Sequence, residues 1–123
     1  MNREDTRRIV LEFYEAVVNR RDFTAASAYL GDVYIQHRAD APDGVDGLRQ
    51  FMNRKRNPQT HIDVRRVFVD GDHVVIHAHV VPSLGERGSA HVDIFRVDGG
   101  KVVEHWDVDE PIPAHTANPN GVL

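Results

Sequence analysis

The sequence predicts an α+β fold, with N-terminal helices packed on a strongly bent antiparallel or mixed β-sheet that encloses a pocket. Three observations predict it. Apolar residues recur at helical spacing over Asn2–Arg20. Runs rich in Val, Ile, Phe and Trp fill the stretch from His61 to Glu110, broken at Asp70-Gly71-Asp72 and Asp98-Gly99-Gly100. The helical patterns come first and the long strand patterns follow, which excludes an alternating parallel-sheet architecture.

The first helix carries Ile9, Val10, Phe13, Tyr14, Val17 and Val18 on one face, with Glu4, Asp5 and Glu12 toward its start and Arg20 and Arg21 at its end. Asp22 is placed to cap a second short helix, Phe23–Leu30, which Gly31 would end. Val33–His37 reads as a short strand. Pro42-Asp43-Gly44 is a turn, and Asp43 is placed to cap a third helix over Gly44–Arg54. Arg49, Arg54, Lys55 and Arg56 form a basic run that is either a solvated helix end or a site for an anionic group.

His61–Val69 and His73–Val81 form one hairpin, Pro82–Gly88 a loop, and Ser89–Glu110 a second hairpin. Alternation puts Asp93, Phe95 and Val97 on one face of its first arm. In the second arm Val103, His105 and Asp107 share a face, opposite Val102, Glu104 and Trp106. A three-residue turn, with Val97 opposite Lys101, sets Asp93 beside His105 and Asp107. A two-residue turn separates them. From Pro111 the tail has no period and reads as coil lying over the domain. Val92, Ile94, Val102 and Trp106 are then expected on an outer apolar face, through which a homodimer is expected to form.

With 123 residues, 41% hydrophobic and 28% charged, the chain suits one domain over 1–123 with one core. A net charge of −4 argues against nucleic acid as a partner. No apolar run is long enough for a membrane span, and Met1–Arg8 is too polar for a secretory signal, so a cytoplasmic location is expected. The absence of cysteine excludes a disulfide framework, a thiolate metal site and a cysteine nucleophile. No phosphate loop, nucleophile elbow or dinucleotide fingerprint is present, and no cofactor is implied.

Ionisable groups among apolar strand residues mark the place for chemistry, because burying them unpaired is costly. A carboxylate in an apolar pocket is expected to have a raised pKa and to serve as a base. Two neighbouring carboxylates push their proton affinities apart. Asp93 and Asp107 fit that pattern, with His105 or His37 as hydrogen-bond partner; a plain Asp–His ion pair satisfying buried groups is the alternative. Phe95, Tyr14, Tyr34 and Phe51 would be apolar walls, core packing being the alternative for each. His77 and His79 share a strand face and, with His91 or His105, could in principle ligate a metal. They are read instead as pocket-lining or surface histidines, with His79 as a ligand contact and no metal.

The segments FYEAVVNRRDFTAASAYLGDVYIQH, RVFVDGDHVVIHAH, VDIFRVDGGKVVEHWDV and PIPAHTANPN span nearly the whole chain. Together they resemble the SnoaL-like polyketide cyclase group of the nuclear transport factor 2-like (NTF2-like) superfamily. The resemblance implies an α+β cone and a cofactor-independent aldol-condensation cyclase or isomerase acting on a small hydrophobic carbonyl compound. It implies Asp107 as the general acid/base, on the last strand. The family's second polar pocket residue, often histidine, falls nearest Asp93 here, so the chain departs from the pattern there. His37, closing the YIQH strand, is implied as a further catalytic residue. The superfamily also contains binding modules, so a non-catalytic ligand-binding or dimerisation module is the alternative. A hydratase or epoxide hydrolase using the paired carboxylates is a further one.

Overall fold

In a computed structural model describing residues 1–123, Asn2 caps the first helix by accepting a hydrogen bond from the Asp5 amide, and α1 runs over Arg3–Val18. It is shorter than the pattern predicted, because Asn19–Asp22 turn away through Arg21, whose φ of 55° no helix accommodates. Asp22 caps α2 as expected, accepting from the Ala25 amide, but α2 covers only Phe23–Ser27. Then come β1 (Ile35–Gln36) and α3 (Gly44–Met52). Asp43 does not cap α3 with its side chain. Its carboxylate accepts from the Gln36 amide at 2.8 Å and ties the helix start to β1.

Four long strands complete the sheet: β2 (His61–Asp70), β3 (His73–Val81), β4 (Ser89–Asp98) and β5 (Lys101–Pro111). The order is β1-β5-β4-β3-β2, with β1 parallel to β5 and every other pair antiparallel. Bulges between Val64 and Arg66 in β2 and at the start of β5 bend the sheet around α1. Val10, Phe13 and Ala16 of α1 lie fully buried against Val74, Ile76 and Ala78 of β3 and Phe95 and Val97 of β4.

The β4–β5 turn decides the site. Asp98 pairs with Lys101, so the loop has two residues, Gly99 and Gly100, both with positive φ. By alternation alone this would separate Asp93 from Asp107. It does not, because Val97 pairs with Val102 and Arg96 with Glu104, leaving Val103 as an extra, bulged residue. The bulge restores the face, and Asp93 lies directly opposite Asp107. Before the bulge, the two-residue turn pairs Val102 with inward-facing Val97, and Val102 is fully buried. Val102 therefore does not belong to the outer apolar face. There Trp106 is half-buried, stacked on His37 with ring centroids 4.9 Å apart. The tail is tied down at Ile112, whose amide bonds to Gly88, but Pro113–Gly121 is exposed rather than covering the domain.

Candidate functional site

A cavity of about 370 Å³ lies between α1, α3 and the concave face of the sheet. Tyr14, Tyr34, Phe51, Phe95, Asp93, His105 and Asp107, all expected to contact a ligand or substrate, line it. So do His91, which the sequence reads as a pocket-lining or surface histidine, and Gln36 and Arg38, which sequence reasoning did not place there.

Asp93 is the hub. It is only 4% exposed, and the Tyr14 hydroxyl donates to its Oδ2 at 2.8 Å. His105 Nε2 lies 2.7 Å from Oδ1, while His105 Nδ1 faces Gln36 Oε1 at 2.8 Å. Phe95 stacks on the His105 ring at 4.6 Å and Tyr14 meets Phe95 edge-on, so aromatic packing fixes the donors that surround Asp93.

His91 joins Asp93 to Asp107. Its Nε2 lies 3.5 Å from Asp93 Oδ1 and 3.3 Å from Asp107 Oδ2, and its Nδ1 lies 2.9 Å from Asp109 Oδ1. Arg38 donates to the same Asp107 Oδ2 at 2.7 Å, and its Nε lies 2.6 Å from Asp40. Burial opposes a charge on His91. The hydrogen bonds to Asp107 and Asp93, the Asp93 charge and the bond to Asp109 outweigh burial and push its pKa up to about 10. Burial would likewise raise the Asp93 carboxyl, yet the hydrogen bonds from His105 and His91 hold it well below the usual range. Asp107 is also held low, against burial, by His91 and Arg38. The expectation of a raised carboxylate is thus corrected: the raised group is the imidazole, because each carboxylate faces more donors than apolar surface. Burial first, then the Asp93 charge, pushes the Tyr14 and Tyr34 hydroxyls far above the ordinary tyrosine value, so both stay protonated donors.

Two expected site residues lie elsewhere. His37 is on the outer face of the sheet, stacked on Trp106 and paired with Glu104 at 2.8 Å. The cause is alternation along β1: Tyr34, Gln36 and Arg38 point into the cavity, so His37 points away. His79 is outward too, beside Arg65 and the Arg87 carbonyl, because Val74, Ile76 and Ala78 take the inner face of β3. His77 and His79 therefore do not meet His91. The group whose ligand atoms all lie within 4.8 Å of one another is His91, Asp93 and Asp107. An ion there would have to displace the proton that these carboxylates hold on His91, and compete with Arg38 and His105 for their oxygens.

These pairings have a pH signature. His91 binds its proton more tightly folded than unfolded, so its contribution to stability is complete below about pH 6.5 and fades as pH rises through about 10. Asp93 and Asp107 are held low, so theirs is complete above an ordinary value of 3.8 and fades as pH falls below it. Urea unfolding across pH should show a plateau between these limits and an alkaline decline that His91→Gln flattens. An unchanged alkaline decline in that variant would remove His91 as its source.

Solved structures share the fold over most of the chain. A candidate ketosteroid isomerase from Kribbella flavida DSM 17836 superposes with a TM-score of 0.75 at 19% identity, covering 96% of this chain and 84% of that one. A candidate polyketide cyclase from Bacillus cereus ATCC 10987 gives 0.74 at 18%, covering 89% and 79%. An NTF2-like protein of unknown function from Burkholderia xenovorans LB400 gives 0.74 at 18%, covering 93% and 89%. At such identities the likeness shows the NTF2-like fold and not the activity. No curated protein matches the sequence. No helix is long and apolar enough to cross a membrane. Residues 10–105, most of the length, from within α1 to His105 on β5, match the SnoaL-like domain, and the chain belongs to that family.

Proposed function

We propose that the chain is a cofactor-independent acid/base enzyme of the cyclase or isomerase type, acting on a small carbonyl compound held in the cavity. The observation that carries this reading is His91 Nε2 set between Asp93 and Asp107 in a cavity with aromatic walls. An acid and a base stand side by side there, in opposite charge states at neutral pH. A substrate carbonyl that draws the His91 N–H to itself takes a hydrogen-bond donor away from Asp107, whose proton affinity then rises. Asp107 removes the proton from the carbon beside the carbonyl. The C–H electron pair becomes the enol double bond, and the oxygen receives the His91 proton. In an isomerase Asp107 returns its proton to another carbon while His91 takes back the enol proton and the carbonyl reforms. In a cyclase the enol carbon attacks a second carbonyl, Asp107 protonates the alkoxide that forms, and His91 takes back the enol proton as the first carbonyl reforms. Asp93, with Tyr14 and His105, orients His91. No oxidant, reductant or metal enters the balance.

The test is exchange of α-protons for deuterium in small cyclic and aromatic ketones, followed by NMR in D₂O. The reading expects enzyme-dependent exchange from at least one ketone class; exchange no faster than in buffer across the panel would count against it. One observation favours the second reading, a non-catalytic ligand-binding module: His91, Asp93, His105 and Asp107 are already paired within the chain and both carboxylates sit low. Tight ketone binding without exchange would select it.

A further inference from the structure

Two guanidinium groups line the same cavity with no carboxylate to neutralise them. Arg21 follows α1 and Arg56 follows α3, and each reaches across to the other helix's end. Arg21 donates to the carbonyls of Met52, at 2.5 Å, and Arg54, at 3.1 Å. Arg56 donates to those of Val18, at 2.5 Å, and Asn19, at 3.5 Å. This reciprocal clasp brings two like charges to one wall. Arg21 holds its place with a backbone φ of 55°, a region that non-glycine residues rarely occupy. Burial lowers the proton affinity of both, the Arg21 charge adds to that of Arg56, and no acid offsets either. Arg38, lining the same cavity, is by contrast paired with Asp40 and Asp107. Stapling two helix ends accounts for the carbonyl bonds. It does not account for a pair of unneutralised cations facing a cavity in a chain whose net charge is −4. Each guanidinium carries five N–H donors in a planar fork, so donors remain for a ligand beyond the carbonyls they already meet.

We infer that the cavity takes an anionic carbonyl compound, whose carboxylate or phosphate is held by Arg21 and Arg56 while its carbonyl faces His91 and Asp107. The inference rests on the carbonyl chemistry proposed above and adds the substrate class. The basic run beyond α3 thereby divides: Arg56 turns into the cavity, while Arg54 turns to Asp40 and the Phe51 ring.

The test compares 4-oxopentanoate, its methyl ester and inorganic phosphate on the full chain, with dissociation constants from calorimetry and α-deuterium exchange followed in parallel. The acid is expected to bind at least about tenfold tighter than the ester, as charge-assisted hydrogen bonds to two guanidiniums require. That advantage should shrink with added salt and fall to about one in Arg56→Gln. Phosphate should compete with the acid if the wall recognises oxyanions in general, and should fail to compete if it is shaped for a carboxylate. Equal binding of acid and ester by the unaltered protein, or no binding of either, would overturn the inference. So would an acid preference that survives in both Arg21→Gln and Arg56→Gln. Selective acid binding without exchange would instead sink the enzymatic reading and leave the anion site standing.

Discussion

Replacing Asp93 by alanine is expected to destabilise the fold by about 3–5 kcal/mol, the range for removing one partner of a buried ion pair. The loss leaves the Tyr14 hydroxyl and His105 Nε2 without their acceptor, and takes one of three carboxylates from His91. Asp93 is only 4% exposed, so in the intact protein these donors are satisfied by its carboxylate rather than by solvent. Tyr14→Phe removes a single donor to the same carboxylate and should cost about 1.5–3 kcal/mol, the range for a hydrogen bond to a charged group. Urea unfolding followed by circular dichroism gives both numbers. A loss below about 1 kcal/mol for Asp93→Ala would mean that solvent reaches the network.

Asp107→Asn is expected to lower α-proton exchange by about 10²- to 10⁴-fold, the usual contribution of a general base. Its effect on stability should be smaller than that of Asp93→Ala, since Asp107 is only partly buried and asparagine still offers Arg38 and His91 an acceptor oxygen. The separation of the two effects is informative. In the proposed mechanism Asp93 positions His91, and Asp107 is the base that meets substrate. Unchanged exchange in a folded Asp107→Asn protein would remove Asp107 from the mechanism.

Much of this was legible in the sequence. The helices and the run of long strands follow from periodicity. From the sequence, the opposition of Asp93 to Asp107 is conditional on a three-residue turn, whereas the Gly99-Gly100 loop has two residues and a bulge restores the opposition. A two-residue turn and a bulge at Val103 give the same inner face as a three-residue turn, and no local residue type announces the bulge. The bulge also breaks the alternation between Val102 and His105, so Val102, which reads as an outer residue by alternation, is fully buried on the same side as His105.

The two misplaced histidines were open to correction from alternation itself. Tyr34 and His37 differ by an odd number of positions, so a straight strand cannot send both into one cavity. The same rule, applied forward from Tyr34, points to Gln36 and Arg38, which do line the cavity. His79 falls with His77 on the polar face of a strand whose other face is Val74, Ile76 and Ala78. His91 stands two residues before Asp93 and shares its face. Its role as the bridge depends on a cross-strand register that only the folded sheet supplies. The sense of the pKa shifts was hidden for the same reason. Burial was foreseeable, but the donors that override it come from β4 and β5 together and from Arg38, just after β1.

The central claim is that an imidazolium and an ionised carboxylate face each other in the cavity at neutral pH. It is tested most directly by an NMR titration of the His91 ring nitrogens and the Asp107 carboxyl carbon in the unliganded protein, assigned with His91→Gln and Asp107→Asn. The account predicts that His91 stays protonated past pH 8, with its midpoint near 10, and that Asp107 is still ionised below the ordinary aspartate value of 3.8. A neutral His91 at pH 7, or an Asp107 that takes up its proton above that value, would contradict it.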